Sequence, residues 1–91
     1  MHARTWHLQI DLLEQDTSTR AEVVMRTDVG TELRHVGVAR RRPGDRDVPE
    51  IGAELAACRA LTSLVHELLD ATIADLQQND PAGRSAHVDP G

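Results

Sequence analysis

Ser63, His66 and Asp70 fall three and four residues apart in a helical stretch, with Arg59 one turn earlier. That spacing puts all four on one stripe of a helix. A serine, a histidine and an aspartate within reach suggest nucleophile, base and orienting acid. Such a triad also needs an oxyanion hole and a pocket that holds substrate. A solvated helix face offers neither, so the stripe reads as an exposed polar face with a local His–Asp contact. The five histidines, at 2, 7, 35, 66 and 87, show no ligand spacing, and zinc requires clustered donors. No metal, cofactor or small-molecule substrate is expected, and the chain reads as a non-enzyme. Cys58 stands alone, so no internal disulfide or cysteine-based zinc site is available. Its place on an apolar stripe reads as a small core hydrophobe.

Arginine is the remaining chemical signal. Arg40, Arg41 and Arg42 are consecutive, and Arg26 and Arg34 are placed on neighbouring strands. Together they form a candidate phosphate-binding patch, suited to RNA recognised by shape and backbone. The competing reading is a solvated sheet rim paired with Glu32, Asp45 and Asp47. Arg34 and Arg40 share strand parity with Val36 and Val38. If the valines enter the core, these arginines must lie at the strand ends, unless a bulge near Gly37 intervenes.

Composition narrows the options further. All ten basic residues are arginine, which rules out lysine Schiff-base or amine chemistry. There is no Phe or Tyr, and Trp6 is the single aromatic. Base stacking, the usual grip on single strands, is therefore nearly excluded. The net charge is −5, with the acidic excess in the second half of the chain. No leader-like or membrane-spanning apolar run is visible, and the chain reads as cytoplasmic and soluble.

The elements that must position these residues follow from periodicity. Residues 1–5 read as a flexible arm. Trp6, Leu8, Ile10 and Leu12 alternate with polar residues, the mark of a half-buried strand. A turn at 16–19 leads to a second strand over about 20–27, with Ala21, Val23 and Met25 on one face. Gly30 sits in the next turn, and a third strand spans about 32–40 with Val36 and Val38 assigned to the core. Asp47 with Glu50 resembles a capping box, and Pro49 suits a first helical turn. A helix follows over 50–78. Its stripe is Ile51, Leu55, Cys58, Thr62, Val65, Leu69, Thr72, Ile73 and Leu76, widened on one side by Ala57, Leu61, Leu64 and Leu68.

This arc covers about half the helix, wider than the ~100° of a surface helix. A 29-residue helix is about 43 Å long, whereas eight-residue strands reach about 27 Å. Either the helix kinks around 70–72 or a second copy covers the excess. A homodimer is therefore expected, with Leu61, Leu64 and Leu68 as candidate interface residues. Asn79-Asp80-Pro81 ends the helix, and residues 79–91 read as a disordered tail. The fold class is α+β: a three-stranded antiparallel meander under one long C-terminal helix, a single domain over 6–78.

Several motifs resemble a family of small actinobacterial proteins of unknown function. They are Thr19-Arg20-Ala21, Val36-Gly37-Val38-Ala39-Arg40, and the helix start Val48-Pro49-Glu50-Ile51-Gly52 with Arg59-Ala60-Leu61. The likeness covers about 6–78. His35, two positions before Gly37, and Ala57-Cys58-Arg59-Ala60 depart from the family pattern. The resemblance implies a fold like a double-stranded-RNA-binding domain, a dimer, and a link to hypoxia or dormancy. It also implies a likeness to ribosome-hibernation factors, hence ribosome or structured-RNA association. The alternative is a homodimeric interaction or regulatory module that touches no nucleic acid. The family implies no catalytic residues.

Overall fold

A computed structural model describes residues 1–42, 44 and 48–79. Three strands, β1 (His7–Glu14), β2 (Ser18–Arg26) and β3 (Glu32–Arg40), precede one helix, α1 (Pro49–Gln78). The sheet is antiparallel in the order β1-β2-β3, the expected meander. The β1–β2 turn closes with Gln15 N–H donating to Ser18 C=O at 2.8 Å. The β2–β3 turn is held by Thr27 N–H on Thr31 C=O at 2.9 Å, and by Thr31 N–H on the Thr27 hydroxyl at 3.1 Å.

Register decides which side chains meet the helix, because directly opposed residues share a face. Ala21 lies between Leu12 and Gly37, Val23 between Ile10 and His35, and Met25 between Leu8 and Leu33. Ala21, Val23 and Met25 are buried, joined by Ala39 and by Ala53, Ala56, Ala60 and Leu64 of α1. Val23, Met25 and Leu64 each stabilise the fold by roughly 2 kcal/mol on burial.

Two sequence expectations fail here for one reason. Val36 and Val38 face away from the helix, and Gly37 and Ala39 face it. The helix likewise turns an alanine row to the sheet, and most of the expected stripe, including Cys58, is exposed. Bulky residues mark burial only where elements pack at ordinary spacing. Here the backbones touch: a Cβ on Gly37 would lie 2.3 Å from Ala56 C=O and 2.4 Å from Ala60 N. Only glycine and alanine fit so close a crossing. No bulge is needed, since the β2–β3 register runs unbroken.

The helix starts at Pro49, one residue earlier than expected, and its N-cap is Val48, with no side-chain cap hydrogen bond. Asp47, the expected cap, lies outside the described residues, as do 80–91 of the expected tail. The helix continues unbroken through Gln78 to its C-cap Asn79, so no break occurs at 70–72. Thr62, Ser63 and Thr72 donate their hydroxyls to the carbonyls of Cys58, Arg59 and Leu68, one turn back.

Gly37→Ala should therefore cost about 3 kcal/mol or more in urea denaturation, or prevent folding, because backbone and not a movable side chain fills the space. A Gly37→Ala chain as stable as the parent would contradict the close crossing.

Candidate interaction surface

α1 lies over β2 and β3 and barely touches β1. One flank is tied to β3. There the Arg59 guanidinium donates to Val38 C=O at 2.6 Å. His35, one of the family departures, meets the Glu67 carboxylate through its Nε2. The opposite flank carries Ala57, Leu61 and Leu68, half-buried against the core, and leans toward β1. This accounts for the polar stripe: Arg59 grips the sheet edge, and Ser63 bonds to the carbonyl of Arg59 rather than to His66. Ser63 and His66 therefore form no nucleophile–base pair.

Every residue of β1 is exposed. Leu8, Ile10 and Leu12 share the helix-side face with Met25, Val23 and Ala21, yet remain 49%, 37% and 45% exposed because no helix stands above them. Beside this floor rises α1, whose outward residues Ile51, Leu55, Val65, Leu69 and Leu76 are 40–60% exposed. All eight are large apolar side chains left exposed. Of the three expected interface residues, Leu61 and Leu68 border this surface. Leu64 is 3% exposed and spent within the protomer core, so the candidate surface extends instead to Val65, Leu69 and the β1 row.

The other face of the sheet carries the arginines. Arg26 Nε donates to Glu32 Oε1 at 2.9 Å, and Arg34 Nη1 to Glu22 Oε1 at 2.9 Å, with Arg34 Nη2 3.6 Å from Glu32 Oε2. The hydrogen bond from Arg26 holds Glu32 below its usual carboxylate range, and that to Glu22 raises Arg34 above the usual guanidinium value. Two of the five expected phosphate contacts are thus engaged with carboxylates. Arg20 and Arg40 point to the same face, diagonal across β2 and β3, and neither has an acidic partner among the described residues. Arg41 and Arg42 follow β3, and Arg41 N–H donates to Thr17 C=O at 2.7 Å.

At the far end of the sheet the arm is tied down. Arg4 donates to Asp28 Oδ2 and Oδ1 at 2.6 and 2.8 Å, and Trp6 Nε1–H to Asp28 Oδ1 at 3.2 Å. Trp6 is half-exposed and serves as a latch on the β2–β3 turn. The Arg4 bond, aided by its charge and by Trp6, lowers the Asp28 carboxyl to about 2. Among the described residues no three His, Cys, Asp or Glu side chains cluster as a metal would require, and no described helix is long and apolar enough to cross a membrane.

A family model matches residues 4–87 of this β-β-β-α chain. The chain belongs to the Rv2632c-like family. It is 41% identical over 71 residues to the uncharacterized protein Rv2632c of Mycobacterium tuberculosis, covering 76% of this chain and 75% of that protein. It is 40% identical over 72 residues to the uncharacterized protein Mb1767 of Mycobacterium bovis, covering 79% of this chain and 76% of the relative. The crystal structure of Rv2632c superposes with a TM-score of 0.79 at 32% identity, over 89% of this chain and 95% of that one. This Rv2632c-like chain therefore shares its fold with an experimentally determined mycobacterial relative.

The latch sets a pH expectation. A carboxyl lowered in the folded state contributes stability above its unfolded pKa near 4. That contribution fades as pH falls from there through about 2. The Asp28 carboxyl should titrate at about 2 by NMR, and Arg4→Ala should return it toward the ordinary range. A midpoint unchanged by Arg4→Ala would contradict the latch.

Proposed function

We propose that this chain is a non-enzymatic interaction module that acts as a homodimer, with the second copy covering the β1 floor and the outward stripe of α1. The carrying observation is the apolar row Leu8, Ile10 and Leu12, left without a helix above it and placed beside a second apolar surface. Paired surfaces in stable complexes bury about 800 Å² per partner. A self-complementary surface closes under two-fold symmetry and leaves no growing chain.

A second reading rests on Arg20 and Arg40. Their charges meet no carboxylate among the described residues, and they stand beside Arg41 and Arg42 at one sheet end. Association with structured RNA or the ribosome, as in the dormancy-linked role the family resemblance implies, would use this end. Arg26 and Arg34, already bound to Glu32 and Glu22, would contribute less.

Light scattering at micromolar concentration should give twice the 10.0 kDa chain mass. Ile10→Asp combined with Val65→Glu should halve it, with the thermal midpoint no longer rising with concentration. A parent chain that stays monomeric would contradict the dimer. For the second reading, ribosome cosedimentation should fall steeply with salt and vanish in a chain carrying Arg20, Arg40, Arg41 and Arg42 all as Ala. Binding that survives those changes would contradict it.

A further inference from the structure

β3 is an outer strand of the sheet, and the direction of its free backbone groups follows from one bond. Arg41 N–H donates to Thr17 C=O. Antiparallel pairs alternate, so the odd-numbered residues of β3 bond to β2 along the unbroken register. The N–H and C=O groups of Glu32, Arg34, Val36, Val38 and Arg40 therefore point outward from the sheet edge. No proline or bulge interrupts these nine residues, and such an edge is a template for another strand. We infer that this edge is a pairing surface for β3 of a second copy, held shut by Arg59. The inference does not rest on the contact proposed at β1, which is the opposite edge of the sheet.

Charge selects the second copy and its register. In a two-fold antiparallel pair centred on Val36, Glu32 of each copy lies opposite Arg40 of the other, and Arg34 lies opposite Val38. A centre on His35 would pair no opposite charges. A centre on Arg34 or on Gly37 would set arginine against arginine, which is unfavourable in directly opposed residues. On the helix side, the Val36 register sets His35 against Gly37 of the other copy, leaving room for the contact of His35 with Glu67. The helices fit as well. α1 lies over β2 and β3, so its counterpart would run about 10 Å away, two strand spacings, which is an ordinary helix–helix distance.

Arg59 closes this edge. A Cβ on Gly37 would lie 2.9 Å from the Arg59 Cβ, so the side chain starts above Gly37. Its guanidinium then donates to Val38 C=O at 2.6 Å. In the Val36 register that carbonyl is the acceptor for Arg34 N–H of the second copy, and the guanidinium already holds it. Charge opposes pairing too. With the axis at Val36, the Arg59 side chains of the two copies would face one another across it.

The test is light scattering at millimolar concentration on the parent chain, Arg59→Ala and Arg59→Met. Methionine keeps a stem over Gly37 and lacks the guanidinium. Both variants should show at least twice the parent mass, whether the parent is one copy or two. If the parent already pairs through β1, a second two-fold contact at β3 links the pairs into open chains and the increase is larger. Adding Val36→Pro removes the central outward N–H at an edge position, where proline is tolerated, and should return either variant to the parent mass. A monomeric parent contradicts the β1 contact and leaves this comparison intact. Three results would each overturn the inference. They are parental mass in both Arg59 variants, association that survives Val36→Pro, or two Arg59 variants that fail to fold.

Discussion

The contact of Gly37 with the backbone of α1 at Ala56 and Ala60 sets the rest of the molecule. Two backbones that touch can be separated only by hydrogen or methyl groups, so the helix must present alanine and the strand must present glycine. Once Gly37 faces the helix, strand alternation sends Arg34, Val36, Val38 and Arg40 to the opposite face. The arginine face of the sheet is thus a consequence of where one glycine points.

The same contact decides what is left uncovered. A helix drawn down onto β3 and the adjacent β2 cannot also roof β1. Arg59 on Val38 C=O and His35 on Glu67 fix it to that side. The apolar row of β1 is then left exposed, as are large aliphatic residues on the outward side of α1.

Much of the architecture was legible from sequence. Period-two alternation placed three strands and period 3.6 placed the helix, because those patterns reflect backbone geometry whatever packs against them. The third strand was found over its full length, and Ala21, Val23 and Met25 were placed together on one face of the second. Facing was the weak point. Val36, Val38, Ile51 and Cys58 were assigned inward on the rule that bulk is buried, and the close crossing reversed that rule. Gly37 between two valines, and alanines at 53, 56 and 60 spaced three and four apart, were the available signals. Of the candidate site, the surplus of apolar helix surface was visible beforehand. The bare β1 row was not, since alternation says which residues share a face but not which strand the helix covers. The ion pairs of Arg26 and Arg34 depend on cross-strand register and were invisible for the same reason.

The central claim is that a second copy occupies the surface left open by the Gly37 crossing. Isotope-filtered NMR on a mixture of labelled and unlabelled chains reads that contact directly. Intermolecular contacts are expected from the methyl groups of Leu8, Ile10 or Leu12 and from Val65 or Leu69. Intermolecular contacts confined to the arginine face, or none at all at millimolar concentration, would contradict it.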